Sequence, residues 1–149
     1  RTRRSHLRDA VRSAGEIHLI EPTWHWYLLV ALGSGLGGAG RLFVSTLVGR
    51  VAGYGFPWGT IVVNVLGCFL VGALSHLAES RGAFTADTRA FLIIGCLGGF
   101  TTFSAFSNET MNLVRDGERW LASANVLAQI ACGLGAVWAG RVAAFLIWR

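Results

Sequence analysis

Gly95-Cys96-Leu97-Gly98-Gly99-Phe100-Thr101-Thr102-Phe103-Ser104-Ala105-Phe106-Ser107-Asn108-Glu109 is the stretch in which the chain leaves ordinary membrane-helix composition. An apolar run from Phe91 to Leu97 leads into it, and two adjacent glycines follow. Hydroxyls and phenylalanines then take positions where a lipid-facing helix carries Leu, Ile and Val. Each glycine inside a helix costs about 1 kcal/mol relative to alanine. A carbonyl released there must find a partner, because hydrocarbon supplies none. The expected structure is a helix broken at Gly98-Gly99, lining a site where a cation or a second chain meets the freed carbonyls. If the helix resumes at Thr101, its step of about 100° sets Thr101, Ser104 and Asn108 on one stripe and Phe103 and Phe106 opposite.

The rest of the composition agrees with a bilayer. Of 149 residues, 53% are hydrophobic and 14% charged, whereas a soluble domain carries about 25% charged residues. The 20 glycines suit close helix packing in lipid, where small residues let backbones approach. All 13 basic residues are arginine. Arg1, Arg3, Arg4, Arg8 and Arg12 lie in residues 1–23, which are expected to form a flexible basic tail that attracts anionic lipid headgroups. The +5 net charge therefore implies no nucleic-acid partner. No signal peptide is expected in that tail, which lacks a long apolar core. Cys68, Cys96 and Cys132 have no C-x-x-C spacing and read as buried, inert thiols. The four histidines, His6, His18, His25 and His76, show no metal-ligand spacing. With no acid–base pair or nucleophile triad at membrane depth, an enzyme is not expected.

Since about 20 apolar residues cross the hydrocarbon core, four stretches are long enough to span, approximately 26–48, 58–78, 91–114 and 120–148. Pro22 and Pro57 precede spans, where a helix start tolerates them. Trp24, Trp26, Trp58, Trp120 and Trp148 mark ends, as an interfacial belt requires, and only Trp138 falls deep within a span. The connections are short, so one transmembrane domain, residues 24–149, follows the tail. Near the spans, Arg81, Arg89 and Arg149 share one side of the membrane, and Arg50, Arg115 and Arg119 share the other. Loop arginines set orientation, so this balance suits insertion both ways round and pairing as an antiparallel dimer. The arginines of the tail tilt the count towards a cytoplasmic N-terminus.

In the first span, Gly33, Gly35 and Gly38 match G-x-G-x-x-G. The chain has no acidic residue between Glu21 and Glu79, so a dinucleotide site is rejected and small-residue packing explains the glycines. Arg41 lies well inside that span and either snorkels or faces an anion vestibule. In the second span, Thr60, Asn64, Gly67, Val71 and Ser75 form one small and polar face. Asn64 is the costliest of these to bury, and from spacing alone it either bonds a neighbouring helix or serves a site. The fourth span carries Gly133, Gly135, Ala136, Ala139, Gly140, Ala143 and Ala144, a packing surface, with Arg141 near enough to the end to reach the interface.

Three motifs together resemble the Fluc (CrcB-like) fluoride channels, small bacterial four-helix membrane proteins. Gly98-Gly99-Phe100-Thr101-Thr102-Phe103-Ser104-Ala105-Phe106-Ser107 is similar to the family's G-G-x-T-T-F-S-T-F. Gly59-Thr60-Ile61-Val62-Val63-Asn64 with Gly67 is similar to its G-T-x-x-V-N-x-x-G, and Gly37-Gly38-Ala39-Gly40-Arg41 to its glycine run closing on arginine. The resemblance covers about residues 26–148. It implies an all-α, dual-topology antiparallel homodimer in the bacterial inner membrane, exporting fluoride passively, with a structural sodium ion at its centre. Position by position, it implies backbone carbonyls of Gly98 and Thr101 on sodium, an aromatic box of Phe103 and Phe106, and Asn64 as the pore asparagine. Ser104, Thr102 and Ser107 would form a polar track, with Arg41 at the pathway's approach. Ala105 stands where the family usually has Thr or Ser.

The residue chemistry points the same way. A pore for a small, tightly hydrated anion must replace its water with donors that do not trap it, and Phe rings present positive edges. Two other readings remain at this point: a silent subunit that needs a different homologue as partner, motivated by Ala105 and the tail, and a proton-coupled drug exporter. The exporter wants an acid in the first span, which has none.

Overall fold

The computed structural model describes residues 24–82 and 84–148, so the expected tail (residues 1–23) and Arg149 lie outside the described residues. Among them every regular element is helical. Helix α1 is Trp24–Ala52 and α2 is Trp58–Arg81. The third span is composite. Its first half, α3, opens with an α-turn, Ala86–Arg89, continues as a π-helix, Ala90–Leu97, and closes with Gly98–Phe100. Its second half, α4, is Phe103–Arg115, and α5 is Arg119–Ile147. Four helical stretches are thus long and apolar enough to cross a membrane. The first and third begin earlier and end later than expected, the second begins at Trp58 as expected, and the fourth ends at Ile147, just inside its expected limit.

Glycines decide how these rods meet. Gly33 and Gly37 of α1 are buried against the backbone of α3. A Cβ on Gly33 would lie 2.5 Å from the Phe91 carbonyl oxygen, and one on Gly37 would overlap the Cys96 carbonyl. From the other side, a Cβ on Gly95 would stand 3.0 Å from the Gly33 Cα, and one on Gly99 2.5 Å from the Ser34 carbonyl. The two backbones therefore touch with no side chain between the glycines, the close approach that small residues allow in lipid. Of the three glycines that imitate a nucleotide fingerprint only Gly33 belongs to this seam; a Cβ on Gly38 would meet nothing nearer than the Arg41 guanidinium at 3.9 Å. Gly35 is outside it and faces open space.

Helices α2 and α5 form the most extensive pair. Gly72 meets the Val137 carbonyl, and Gly140 meets the Phe69 carbonyl. On α5, Gly133, Gly140 and Ala144 are buried, whereas Gly135 is exposed, so only part of the expected packing surface makes this contact. Arg141, expected to reach the interface, bonds the Glu79 carboxylate at 2.5 Å, because α5 lays it beside the end of α2. At the start of the bundle, Trp26 Nε1 donates to Asp87 Oδ1 (2.7 Å), with His25 Nε2 3.0 Å from the same oxygen, which joins α1 to α3. The sharp turn into α5 uses Gly117 at φ +84°, a left-handed conformation open to glycine at little cost.

The break falls at Thr101-Thr102, where the backbone is extended (ψ 157° and 113°), and not at Gly98-Gly99. Gly98 is helical, at φ −64° and ψ −38°, and Gly99 belongs to the α1 seam. Of the adjacent glycines Gly99 serves helix approach and Gly98 is exposed, and the interruption has another cause, described below. The seam predicts unequal tolerance to substitution. Gly37→Val should lower the thermal stability of the purified protein by at least several degrees, since overpacking costs about 1–3 kcal/mol. Gly35→Ala, which meets no neighbour and removes the helix cost of a glycine, should keep or slightly raise the melting temperature.

Candidate functional site

The site is built on the two residues that interrupt the third span. A continuous helix would send the Thr102 N–H to the Gly98 carbonyl and the Ala105 N–H to the Thr101 carbonyl. Neither bond forms. The Thr102 N–H donates instead to Asn64 Oδ1 at 2.8 Å, and the Ala105 N–H donates to Thr102 Oγ1 at 3.1 Å, which makes Thr102 the N-cap of α4. Asn64 also donates from Nδ2 to the Thr102 carbonyl at 3.2 Å. One side chain of α2 thus pairs with both backbone groups of Thr102, as a neighbouring strand would. Thr102 is buried, while Gly98 is exposed on the protomer surface.

Gly67, one turn beyond Asn64, keeps this clasp tight, since a Cβ there would overlap Thr101 Cγ2. The small and polar face read from Thr60, Asn64 and Gly67 is the face that α2 turns to the break. Of the two readings open for Asn64, the bond to a neighbouring element is the one observed, and its second amide proton goes to Gln129 Oε1 of α5 at 3.1 Å.

The hydroxyls expected to form a donor track behave unequally. Ser107 Oγ donates to the Phe103 carbonyl at 2.9 Å, and Thr101 Oγ1 to the Leu97 carbonyl at 2.9 Å. Their protons are turned back onto the helix, as hydroxyls in an apolar setting often are. Thr102 Oγ1 and Ser104 Oγ lie 3.2 Å apart and share a hydrogen bond, so this pair keeps one further proton. Ser104 and Asn108 are exposed and Thr101 lies ahead of α4, so the expected three-residue stripe is reduced to two. The rings do come together. Phe103 and Phe106 have centroids 5.4 Å apart with planes at 64°, an edge-on arrangement.

Three cavities surround the break. The outermost, about 550 Å³, opens between the α1–α2 loop and the α4–α5 turn, with Tyr54, Asp116 and Glu118 in its wall. It shares Ser45, Thr60 and Glu109 with an inner cavity of about 470 Å³, which Arg41, Thr102 and Ala105 also line. Arg41 lines this inner cavity, is half-buried and has no ion pair among the described residues. A third cavity, about 340 Å³, holds Phe103, Phe106, Asn64, Gln129, Thr101 and again Thr102. Thr102 is the residue common to the inner and the aromatic cavities.

Several polar residues here were not singled out from the sequence. Glu109 accepts from Thr60 Oγ1 at 2.7 Å, and its other oxygen is enclosed without a partner among the described residues. Asn125, fully buried, donates to Thr110 Oγ1 at 2.9 Å, and Thr110 donates in turn to the Phe106 carbonyl at 2.8 Å. The available signal was a carboxylate and two amides at membrane depth, each costly unless used. Asn125 and Gln129 are moreover four apart, on one face of α5.

A four-span helical protein with an interrupted span beside lined cavities belongs to the class of small membrane transport proteins, in which irregular backbone is tolerated where it is buried or lines a cavity. Within that class the chain belongs to the CrcB-like protein family, described as Camphor Resistance (CrcB), whose model matches residues 28–141. It is 48% identical over 120 residues to a protein of Opitutus terrae named fluoride-specific ion channel FluC, covering 79% of this chain and 91% of that one. Proteins of the same name from Methylocella silvestris and Paramagnetospirillum magneticum are 45% and 42% identical over 123 and 125 residues. These cover 81% and 83% of this chain, and 94% and 98% of theirs.

The clasp predicts a stability effect separate from any transport effect. Asn64→Ala orphans the Thr102 N–H and carbonyl, and each buried unpaired group costs about 1–3 kcal/mol. The purified variant should therefore melt well below the wild type in a detergent thermal scan. An unchanged melting curve would show that the break does not depend on Asn64.

Proposed function

We propose that this chain forms a fluoride-selective channel that lets the anion leave the cytoplasm passively across the bacterial inner membrane. The observation that carries the reading is the identity of 41–48% to proteins named for fluoride conduction, over a segment that includes the Thr101-Thr102 break and its cavities. Fluoride enters an acidified cell as the neutral acid, ionises and departs down its gradient. Its path runs from the outer cavity past Thr60 to the Arg41 cavity, and beyond Thr102 to the paired rings. Arg41 raises the local anion concentration. The Thr102–Ser104 hydroxyl pair offers a proton without a fixed positive charge, and the edges of Phe103 and Phe106 carry partial positive charge. Weak, repeated sites of this kind allow departure as well as entry.

The same reading has two copies meeting antiparallel about their third spans. Gly98 and Phe103 are exposed, the latter by 78%. An exposed carbonyl without a donor is costly against lipid, which favours a covering chain. The structural sodium ion fits this place: the carbonyls of Gly98 and Thr101 are the two whose ladder donors have gone to Asn64 and to Thr102 Oγ1. Carbonyl oxygens suit a hard, singly charged cation, and four of them come from two copies. When bound, sodium supplies a fixed positive charge that holds the two breaks together.

Liposomes containing the purified protein should release fluoride rapidly and chloride hardly at all, read with ion-selective electrodes. Equal rates would refute selectivity. Phe106→Ile should slow fluoride release about tenfold or more, the effect of losing roughly 1.4 kcal/mol at the barrier, with gel-filtration behaviour intact. Exchange of sodium for N-methylglucamine should lower the melting temperature of the wild type. If the melting temperature stays constant, the cation has no structural role.

A further inference from the structure

Resting on the channel reading above, we infer that the Thr110 hydroxyl, held by Asn125 of α5, is the positioning group that sets where the Phe106 ring stands in the passage. Helix α4 is lightly seated. None of its residues, Phe103–Arg115, is buried, so apolar packing within the protomer does not fix its rotation. Polar ties do. Its first turn is capped by Thr102, which Asn64 holds, and one turn past Phe106 two adjacent residues are tied to different helices. Glu109 accepts from Thr60 of α2 at 2.7 Å, and Thr110 accepts from Asn125 of α5 at 2.9 Å. Neighbouring positions on a helix point about 100° apart, so the two ties together stop α4 from turning about its axis.

The tie on the α5 side runs directly to Phe106. Thr110 Oγ1 donates to the Phe106 carbonyl at 2.8 Å, alongside the N–H that the helix sends to the same oxygen. With its one proton spent there, the hydroxyl can only accept from Asn125, which must present Nδ2 to it. Asn125 Oδ1 then faces away, enclosed and without a donor among the described residues. A buried acceptor left unpaired is destabilising, so a leucine of similar size would serve stability at least as well. What the amide provides instead is a fixed distance between α5 and the backbone of Phe106. An anion is sensitive to that distance, because an aromatic ring is positive at its edge and negative on its face. A rotation of α4 would turn the Phe103–Phe106 pair, 5.4 Å apart with planes at 64°, from attraction towards repulsion. Asn125 and Thr110 stand outside the lining of the aromatic cavity, so both act through Phe106 and not by touching the anion.

Unitary fluoride currents of the full-length protein in planar bilayers test this, since a variant that merely folds less well changes how many channels open and not how much each one carries. Thr110→Val keeps the shape, removes the hydroxyl and should lower the unitary current at least about fivefold. Thr110→Ser keeps the hydroxyl and should hold the current within about twofold of the wild type. Asn125→Leu should lower it as Thr110→Val does, with a melting temperature equal to the wild type's or higher. Adding Asn125→Leu to Phe106→Ile should cause no further loss, because changes along one chain of contacts do not add. Wild-type current in Thr110→Val or Asn125→Leu, a Thr110→Ser current as low as that of Thr110→Val, or losses that multiply in the double variant would each overturn the inference. A wild type with no fluoride current would refute the channel reading itself, and the inference with it.

Discussion

The structure depends on one substitution of partners: a side-chain amide takes the place of the helix's own backbone at Thr102. Hydrogen bonds are obligatory in a bilayer, so a helix can open there only if something else satisfies the groups it exposes. Asn64 provides an acceptor and a donor at the right separation for one residue's N–H and carbonyl, and the Thr102 hydroxyl caps the helix that resumes. The consequence falls on Gly98, one turn back, and on the adjacent Thr101, whose carbonyls lose the donors that a continuous helix would have sent them.

Such a clasp works only if α2 and the third span are held in register, and glycine sets that register. On one side α1 presses Gly33 and Gly37 against the backbone of α3, with Gly95 and Gly99 returning the contact. On the other, Gly67 admits Thr101 to the surface of α2. Between them lies a π-helical run, Ala90–Leu97. The wider coil of π-helix is uncommon and tends to accompany functional sites, and here it delivers the chain to the break. The α2–α5 pair, closed by Gly72 and Gly140, brings Gln129 within reach of Asn64.

The polar chemistry near the break is therefore less free than a count of hydroxyls suggests. Ser107 and Thr101 spend their protons on carbonyls of the preceding turn, and Asn64 spends both of its own. The groups that retain capacity are the Thr102–Ser104 pair, Arg41 in its cavity and the amide of Gln129. They lie along a series of cavities joined through Thr60, Glu109 and Thr102, so position along the fold, more than residue type, selects which polar group is available.

By itself the sequence determined the four spans, the membrane environment, the interrupted third segment and the association of Phe103 with Phe106, because hydrophobic length and helical spacing are local properties of the chain. It also carried the family resemblance in three short motifs. It did not determine where the interruption falls: Gly98-Gly99 looks like the weak point locally, yet both residues stay helical, and the bonds that open the chain at Thr102 come from Asn64, 38 residues away in sequence. Nor did it show that α5 carries more than packing surface. Tertiary structure decided these points, since a hydroxyl or amide has a fixed number of protons and only the folded neighbours settle which acceptors receive them.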